Sequence, residues 1–136
     1  MNIGVLGTGV VGQTIATALT QKGYNVRMGS RAANNDKATA WVKKSNEHAT
    51  QGDFNDAATF GEIVFLCLNG AHALEAVKSI EADNVMHKIM IDLTNPLDFS
   101  KGMPPRMIDG LANSTSLGEE IQKVLRGAHV VKTACQ

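Results

Sequence analysis

Residues Gly7-Thr8-Gly9-Val10-Val11-Gly12 form a G-x-G-x-x-G motif close to the start of the chain. Ahead of it, Ile3-Gly4-Val5-Leu6 is a short apolar run with the character of a buried strand. Behind it, Val10, Val11, Ile15, Ala16, Ala18 and Leu19 recur with a helical rhythm that stops at Gly23, a natural helix end. Strand, glycine turn and helix in that order open a βαβ unit, which is the context the motif requires. Each glycine then has a physical task. Gly7 permits the tight turn, Gly9 lets backbone approach a pyrophosphate, and Gly12 lets the helix pack against the first strand. The helix N-terminus, with free N–H groups and the positive end of the dipole, suits the anionic pyrophosphate.

The rest of the chain continues the alternation. Tyr24 to Met28 is expected as a second strand, Asp36 to Lys44 as a helix, and His48 to Thr50 as a short third strand. Asp53 is placed to cap a short helix from Phe54 to Phe60. Ile63-Val64-Phe65-Leu66-Cys67-Leu68 is apolar without alternation, as a central parallel strand covered on both faces must be. A helix from Ala71 to Ile80 and a strand from Lys88 to Leu93 follow, the latter stopped by Asn95-Pro96. The loop from Lys101 to Arg106, with Met103-Pro104-Pro105, reads as a connector or as a cover for a substrate ring. Ser116-Leu117-Gly118-Glu119 has capping-box spacing and opens a helix to about Arg126. His129 to Ala134 is the last expected strand. The pattern predicts one α/β domain over residues 1–136. It is a Rossmann-type, doubly wound parallel sheet in three αβα layers, with strand order 3-2-1-4-5-6.

Charge and cysteine content narrow the function classes. With 13 basic and 13 acidic side chains, net charge is zero, against the basic stripe a nucleic-acid binder needs. The same balance argues against a membrane-surface protein, and no apolar run is long enough to span a bilayer. Cys67 and Cys135 lie far apart and read as reduced thiols in a cytoplasmic protein. His48, His72, His87 and His129 are scattered, with no metal-ligand spacing, so no metal site is expected. Each reads as a surface or packing residue, though His72, just past the central strand, is the one within range of the crevice. Asp92 reads as a hydrogen-bonded structural carboxylate beside Thr94.

The end of the second strand bears on which nucleotide binds. An NAD site places Asp or Glu about 20 residues after the glycine motif, to hold the ribose 2′-hydroxyl. In this chain Gly29-Ser30-Arg31 stands there, and the next carboxylate is Asp36. A serine hydroxyl and a permanently charged guanidinium fork suit a 2′-phosphate. NADP is therefore expected over NAD. Lys37 either adds a second positive charge or is a solvated helix residue, and both readings stay open.

Taken in order, these segments resemble one family. Gly7 to Gly12, Gly29-Ser30-Arg31, Asp56-Ala57-Ala58, Asp92-Leu93-Thr94-Asn95-Pro96-Leu97, Ser116-Leu117-Gly118-Glu119-Glu120-Ile121-Gln122 and Val130-Val131-Lys132 carry the resemblance. It is to the NADPH-dependent reductases of the deazaflavin coenzyme F420. Their relatives include bacterial dinucleotide-binding proteins and the ferric-reductase domain of some membrane metalloreductases. The resemblance implies an oxidoreductase that moves a hydride between C4 of the nicotinamide and C5 of a deazaflavin, or a flavin-like acceptor in its place. Such an enzyme mainly positions two rings, so the resemblance names no acid–base residue. By match, Thr8, Ser30 and Arg31 hold the 2′-phosphate and adenosine side, and Gly9, Val10 and Val11 meet the pyrophosphate. Leu68 and Asn69 lie near the nicotinamide ribose, Asn95 and Pro96 end the next strand beside the same crevice, and backbone from Val131 to Thr133 meets the carboxamide.

Family chains continue for several tens of residues past the Val-Val-Lys strand, so the C-terminal part of the family pattern is expected to be missing. That leaves a rival reading, a non-catalytic NADP-binding module or sensor. A third reading is a structural subunit that keeps the fold without the ligand. An unpaired edge strand invites a second copy, so a homodimer is also an expectation.

Overall fold

A computed structural model describes residues 1–93, 97–98, 106–107 and 114–132. The sheet strands are β1 (Asn2–Leu6), β2 (Asn25–Ser30), β3 (Ala49–Asp53), β4 (Ile63–Leu66), β5 (Ile89–Asp92) and, after the two-residue antiparallel pair β6 (Leu97–Asp98) and β7 (Arg106–Met107), β8 (His129–Lys132). The helices are α1 (Val10–Gln21), α2 (Asp36–Lys44), α3 (Phe54–Phe60), α4 (Gly70–Lys78) and α5 (Ser114–Val124), with a 3₁₀ turn at Ala82–Val85. Strand order is β3-β2-β1-β4-β5-β8, all neighbours parallel. Counting the strands of this sheet alone, that is 3-2-1-4-5-6, the order expected for a Rossmann-type α/β sheet.

Two cores flank the sheet. On one face Ile3, Val5, Val26 and Met28 pack with Ala16, Ala38 and Trp41 of α1 and α2. On the other, Leu6, Val64, Leu66 and Met90 pack with Ala57, Ala58, Ala73, Val77 and Ile121 of α3, α4 and α5, and with Leu125 just after α5. The completely buried Trp41 keeps its indole N–H satisfied by donating to Thr17 Oγ1 at 3.1 Å, which ties α2 to α1. Helix α1 ends in a Schellman motif: Gly23, at φ +91°, and Tyr24 donate their N–H groups to the Thr20 and Leu19 carbonyls.

Boundaries differ from the sequence expectation where local signals are weak. β2 runs on to Ser30 and β3 to Asp53, because each is held by the parallel ladder rather than by its own apolar content. α5 begins at Ser114, two residues before the expected cap at Ser116, so the Ser116–Glu119 pair lies inside the helix rather than at its entrance. Ser114, Thr115 and Ser116 all have side chains suited to a helix start, which leaves the local signal degenerate. Loop residues 101–105 and residues 133–136 lie outside the described residues. No helix among the described residues is long and apolar enough to cross a membrane.

Candidate functional site

In a parallel sheet the carboxyl ends of all strands emerge along one edge. Here β1 and β4 are neighbours whose following helices lie on opposite faces, α1 over one core and α4 over the other. Chain leaving these two strands diverges and opens a crevice, the usual ligand position in an open α/β sheet. A cleft of about 330 Å3 lies at this edge. Gly7 and Thr8 after β1, Ser30 and Arg31 after β2, Phe54 opening α3, and Leu68 after β4 all line it. The remaining wall is Asn35 and one face of α4, where His72, Glu75 and Ala76 recur at helical spacing, with Ser79 at the helix's C-cap.

The glycine loop is shaped by backbone crowding. Gly7 has φ +129°, and a Cβ there would lie 2.3 Å from the Cys67 carbonyl oxygen. Its N–H donates to the Gly29 carbonyl at 3.0 Å, which holds the turn against the end of β2. A Cβ at Gly12 would lie 2.5 Å from the Gly7 carbonyl oxygen, so helix and turn touch through backbone. A Cβ at Gly9 would meet no described residue within 4 Å. Among the described residues, therefore, the missing side chain at Gly9 serves no packing need. Val10 and Val11 follow with 84% and 50% exposure, an unusual state for large apolar residues at a helix start.

Helix α1 also differs from its neighbours electrostatically. Asn35, Asp53 and Asn69 each accept hydrogen bonds from first-turn N–H groups of α2, α3 and α4. Gly9 gives α1 no side-chain cap, and its first turn holds no acidic residue. The positive end of this helix is thus left to an outside acceptor.

The side chains after β2 are partly committed to one another. Ser30 is buried and donates its hydroxyl to the Ala32 carbonyl at 2.6 Å, which shapes the loop and leaves the oxygen's lone pairs as its remaining capacity. Arg31 projects from that loop, and its Nη2 lies 3.3 Å from Glu75 Oε1 on α4. Both side chains are largely solvent-exposed, so the pair is worth at most about 1 kcal/mol and separates easily.

The structure thus brings Gly7, Thr8, Ser30, Arg31 and Leu68 to one cleft, with Gly9, Val10, Val11 and Gly12 on the adjoining turn. Lys37 is exposed in the first turn of α2 and does not line the cleft. Asn69 spends its side chain as the α4 cap, accepting from the His72 N–H. Asn95 and Pro96 lie outside the described residues, as does Thr133. Asn35, Phe54, Glu75, Ala76 and Ser79 line the cleft without having been anticipated, and His72 does reach it. The helical spacing of His72, Glu75 and Ser79 was visible in the sequence, but which face of α4 meets the crevice was not.

A family model described as NADP oxidoreductase, coenzyme F420-dependent, matches residues 2–96. The metalloreductase STEAP3 of Rattus norvegicus is 31% identical over 96 residues, covering 71% of this chain and 18% of that protein. A solved structure provisionally described as an F420-dependent NADP-reductase from Arthrobacter sp. FB24 shares 39% identity at a TM-score of 0.79, covering 96% of this chain and 60% of that one. An imine reductase from Streptomyces aurantiacus superposes with a TM-score of 0.69 at 19% identity, over 97% of this chain and 40% of that one. A reductive aminase from Aspergillus terreus, solved with NADPH, gives 0.65 at 17% identity, over 96% and 38%. The last two share the fold alone. The chain spans about 60% of the Arthrobacter protein and less of the others.

Proposed function

The chain belongs to the family of coenzyme F420-dependent NADP oxidoreductases, and from that premise we propose that it binds NADP(H) across the β1–β4 crevice and serves hydride transfer to a deazaflavin or flavin-like ring. The observation that carries the reading is the uncapped, acid-free start of α1, set on a glycine turn with an open Gly9 and with Arg31 across the cleft. Those features suit a ligand with two negatively charged groups, a pyrophosphate and a 2′-phosphate.

Each residue then has a mechanical role. First-turn N–H groups of α1 bind the pyrophosphate, and the bare Gly9 lets its oxygens approach backbone. The Arg31 guanidinium and the Ser30 oxygen hold the adenosine ribose and its 2′-phosphate. Lys37, exposed in the first turn of α2 and outside the cleft lining, is left as a solvated positive charge. Exposed Val10 and Val11 are covered when the dinucleotide lies along the loop. Leu68 provides an apolar support at the end of β4, where the nicotinamide ribose arrives, with Asn69 beside it. When bound, NADPH would supply a hydride from nicotinamide C4, and the acceptor ring would take that hydride together with one proton from solvent. No side chain of this chain need donate or abstract that proton. Its contribution is to orient one ring so that the other can stack on it.

The test is calorimetric titration with NADP⁺ and NAD⁺, on the wild type and on Arg31→Ala. Charge-assisted contacts to phosphate contribute about 1.5–3 kcal/mol, roughly ten- to a hundredfold in affinity. NADP⁺ should bind more tightly by that margin, and the variant should lose it while keeping its NAD⁺ affinity. Equal binding of both nucleotides by the wild type would remove Arg31 from a phosphate site. NADPH oxidation in the presence of F420 or FMN then separates the two acceptor classes.

A further inference from the structure

The sequence places no carboxylate at the end of the second strand, yet the fold delivers one there from another element. Glu75, on the cleft face of α4, meets Arg31 at 3.3 Å, and both line the cleft. We propose that Glu75 sets the nucleotide selectivity of the cleft by competing with a 2′-phosphate for the Arg31 guanidinium. This rests on the nucleotide reading above and adds to it a specificity-determining residue.

The physical basis is that one guanidinium fork serves two rival anions. A carboxylate and a phosphate both match its planar pair of donors. With the side chains 70% and 65% exposed, the pair is weak and exchanges readily, so Glu75 is a competitor and not a lock. A 2′-phosphate must displace the carboxylate and then lie near its negative charge. A ribose 2′-hydroxyl has the opposite preference, since it can donate to a carboxylate without displacing anything. Glu75 therefore weakens NADP⁺ binding and is neutral or helpful to NAD⁺. It narrows a preference that Arg31 alone would make wider. Its effect runs through Arg31, which makes it a positioning residue.

Titrations of NADP⁺ and NAD⁺ against wild type, Glu75→Gln, Arg31→Ala and the double variant test this. Glu75→Gln is expected to tighten NADP⁺ binding by roughly three- to tenfold, with NAD⁺ unchanged or weakened. In the Arg31→Ala background the same substitution should give little gain, because the contested group is gone. Both effects should shrink in high salt, as exposed charges are screened. Because the pair is exposed, Glu75→Gln should unfold at the wild-type temperature. A selectivity ratio that Glu75→Gln leaves unchanged overturns the proposal while the nucleotide reading stands. So does a gain of the same size without Arg31. If the wild type binds neither nucleotide, the nucleotide reading itself fails and the role of Glu75 falls with it.

Discussion

Two glycines of one motif are small for different reasons, and mutation should separate them. At Gly12 a methyl would lie 2.5 Å from the Gly7 carbonyl oxygen, which is backbone and has little room to give. Gly12→Ala should therefore destabilise the fold by about 1–3 kcal/mol, read from the urea midpoint. At Gly9 a methyl meets nothing within 4 Å among the described residues, and φ −80°, ψ −170° suits alanine. Gly9→Ala should fold within about 1 kcal/mol of wild type yet lose NADP⁺ affinity by roughly tenfold or more, since the methyl occupies the path of the pyrophosphate. Undiminished NADP⁺ binding by Gly9→Ala would take the loop out of the site. The crowding at Gly12 was legible in the sequence because the motif's spacing is a local, backbone-level constraint. That Ser30 and Arg31 lie beside the cleft was legible for the same reason, since they stand at a set distance from the motif along one βαβ unit. Glu75 and Phe54 were not, because their approach to the cleft depends on the placement of α4 and α3.

Among the elements, α3 shows how a short helix is held in place. It has seven residues, too few for intrinsic helicity to sustain. Its start is fixed by a capping box: Asp53 Oδ1 accepts from the Asp56 N–H at 2.7 Å, and the Asp53 N–H donates to Asp56 Oδ2 at 3.2 Å. Ala57 and Ala58 are fully buried, and Phe54 at its first position lines the cleft. Removing the cap with Asp53→Ala should cost about 1 kcal/mol in chemical denaturation, and the loosened Phe54 should lower nucleotide affinity in the same variant. An unchanged denaturation midpoint would mean that packing of Ala57 and Ala58 alone fixes the helix. This cap was readable because its partners are three residues apart. The start of α5 was misjudged from a similar pattern, since three successive hydroxyl side chains offer three entrances.

At the scale of the molecule, the cleft is a by-product of the sheet's strand order. β1 and β4 diverge into helices on opposite faces, and the two cores hold those faces apart. A ligand that spans the crevice binds the native state and not the unfolded chain, so it should raise the thermal midpoint. At a hundred times its dissociation constant the gain is about 2.7 kcal/mol, a rise of several degrees for a chain of this size. NADP⁺ should produce that rise in a thermal melt at a lower concentration than NAD⁺ does. Equal rises at equal concentrations would argue that the 2′-phosphate makes no contact. The sequence by itself determined the alternation of strands and helices, the glycine turn and the cationic end of β2. Each of these is encoded in residues near one another along the chain, where turn geometry and side-chain period act directly. Only the tertiary structure decided that α4 presents Glu75 to Arg31 and that α3 brings Phe54 to the same cleft. The reason is that helix orientation on a sheet follows from burial of a whole apolar face, a sum over many distant contacts that no single stretch of sequence contains.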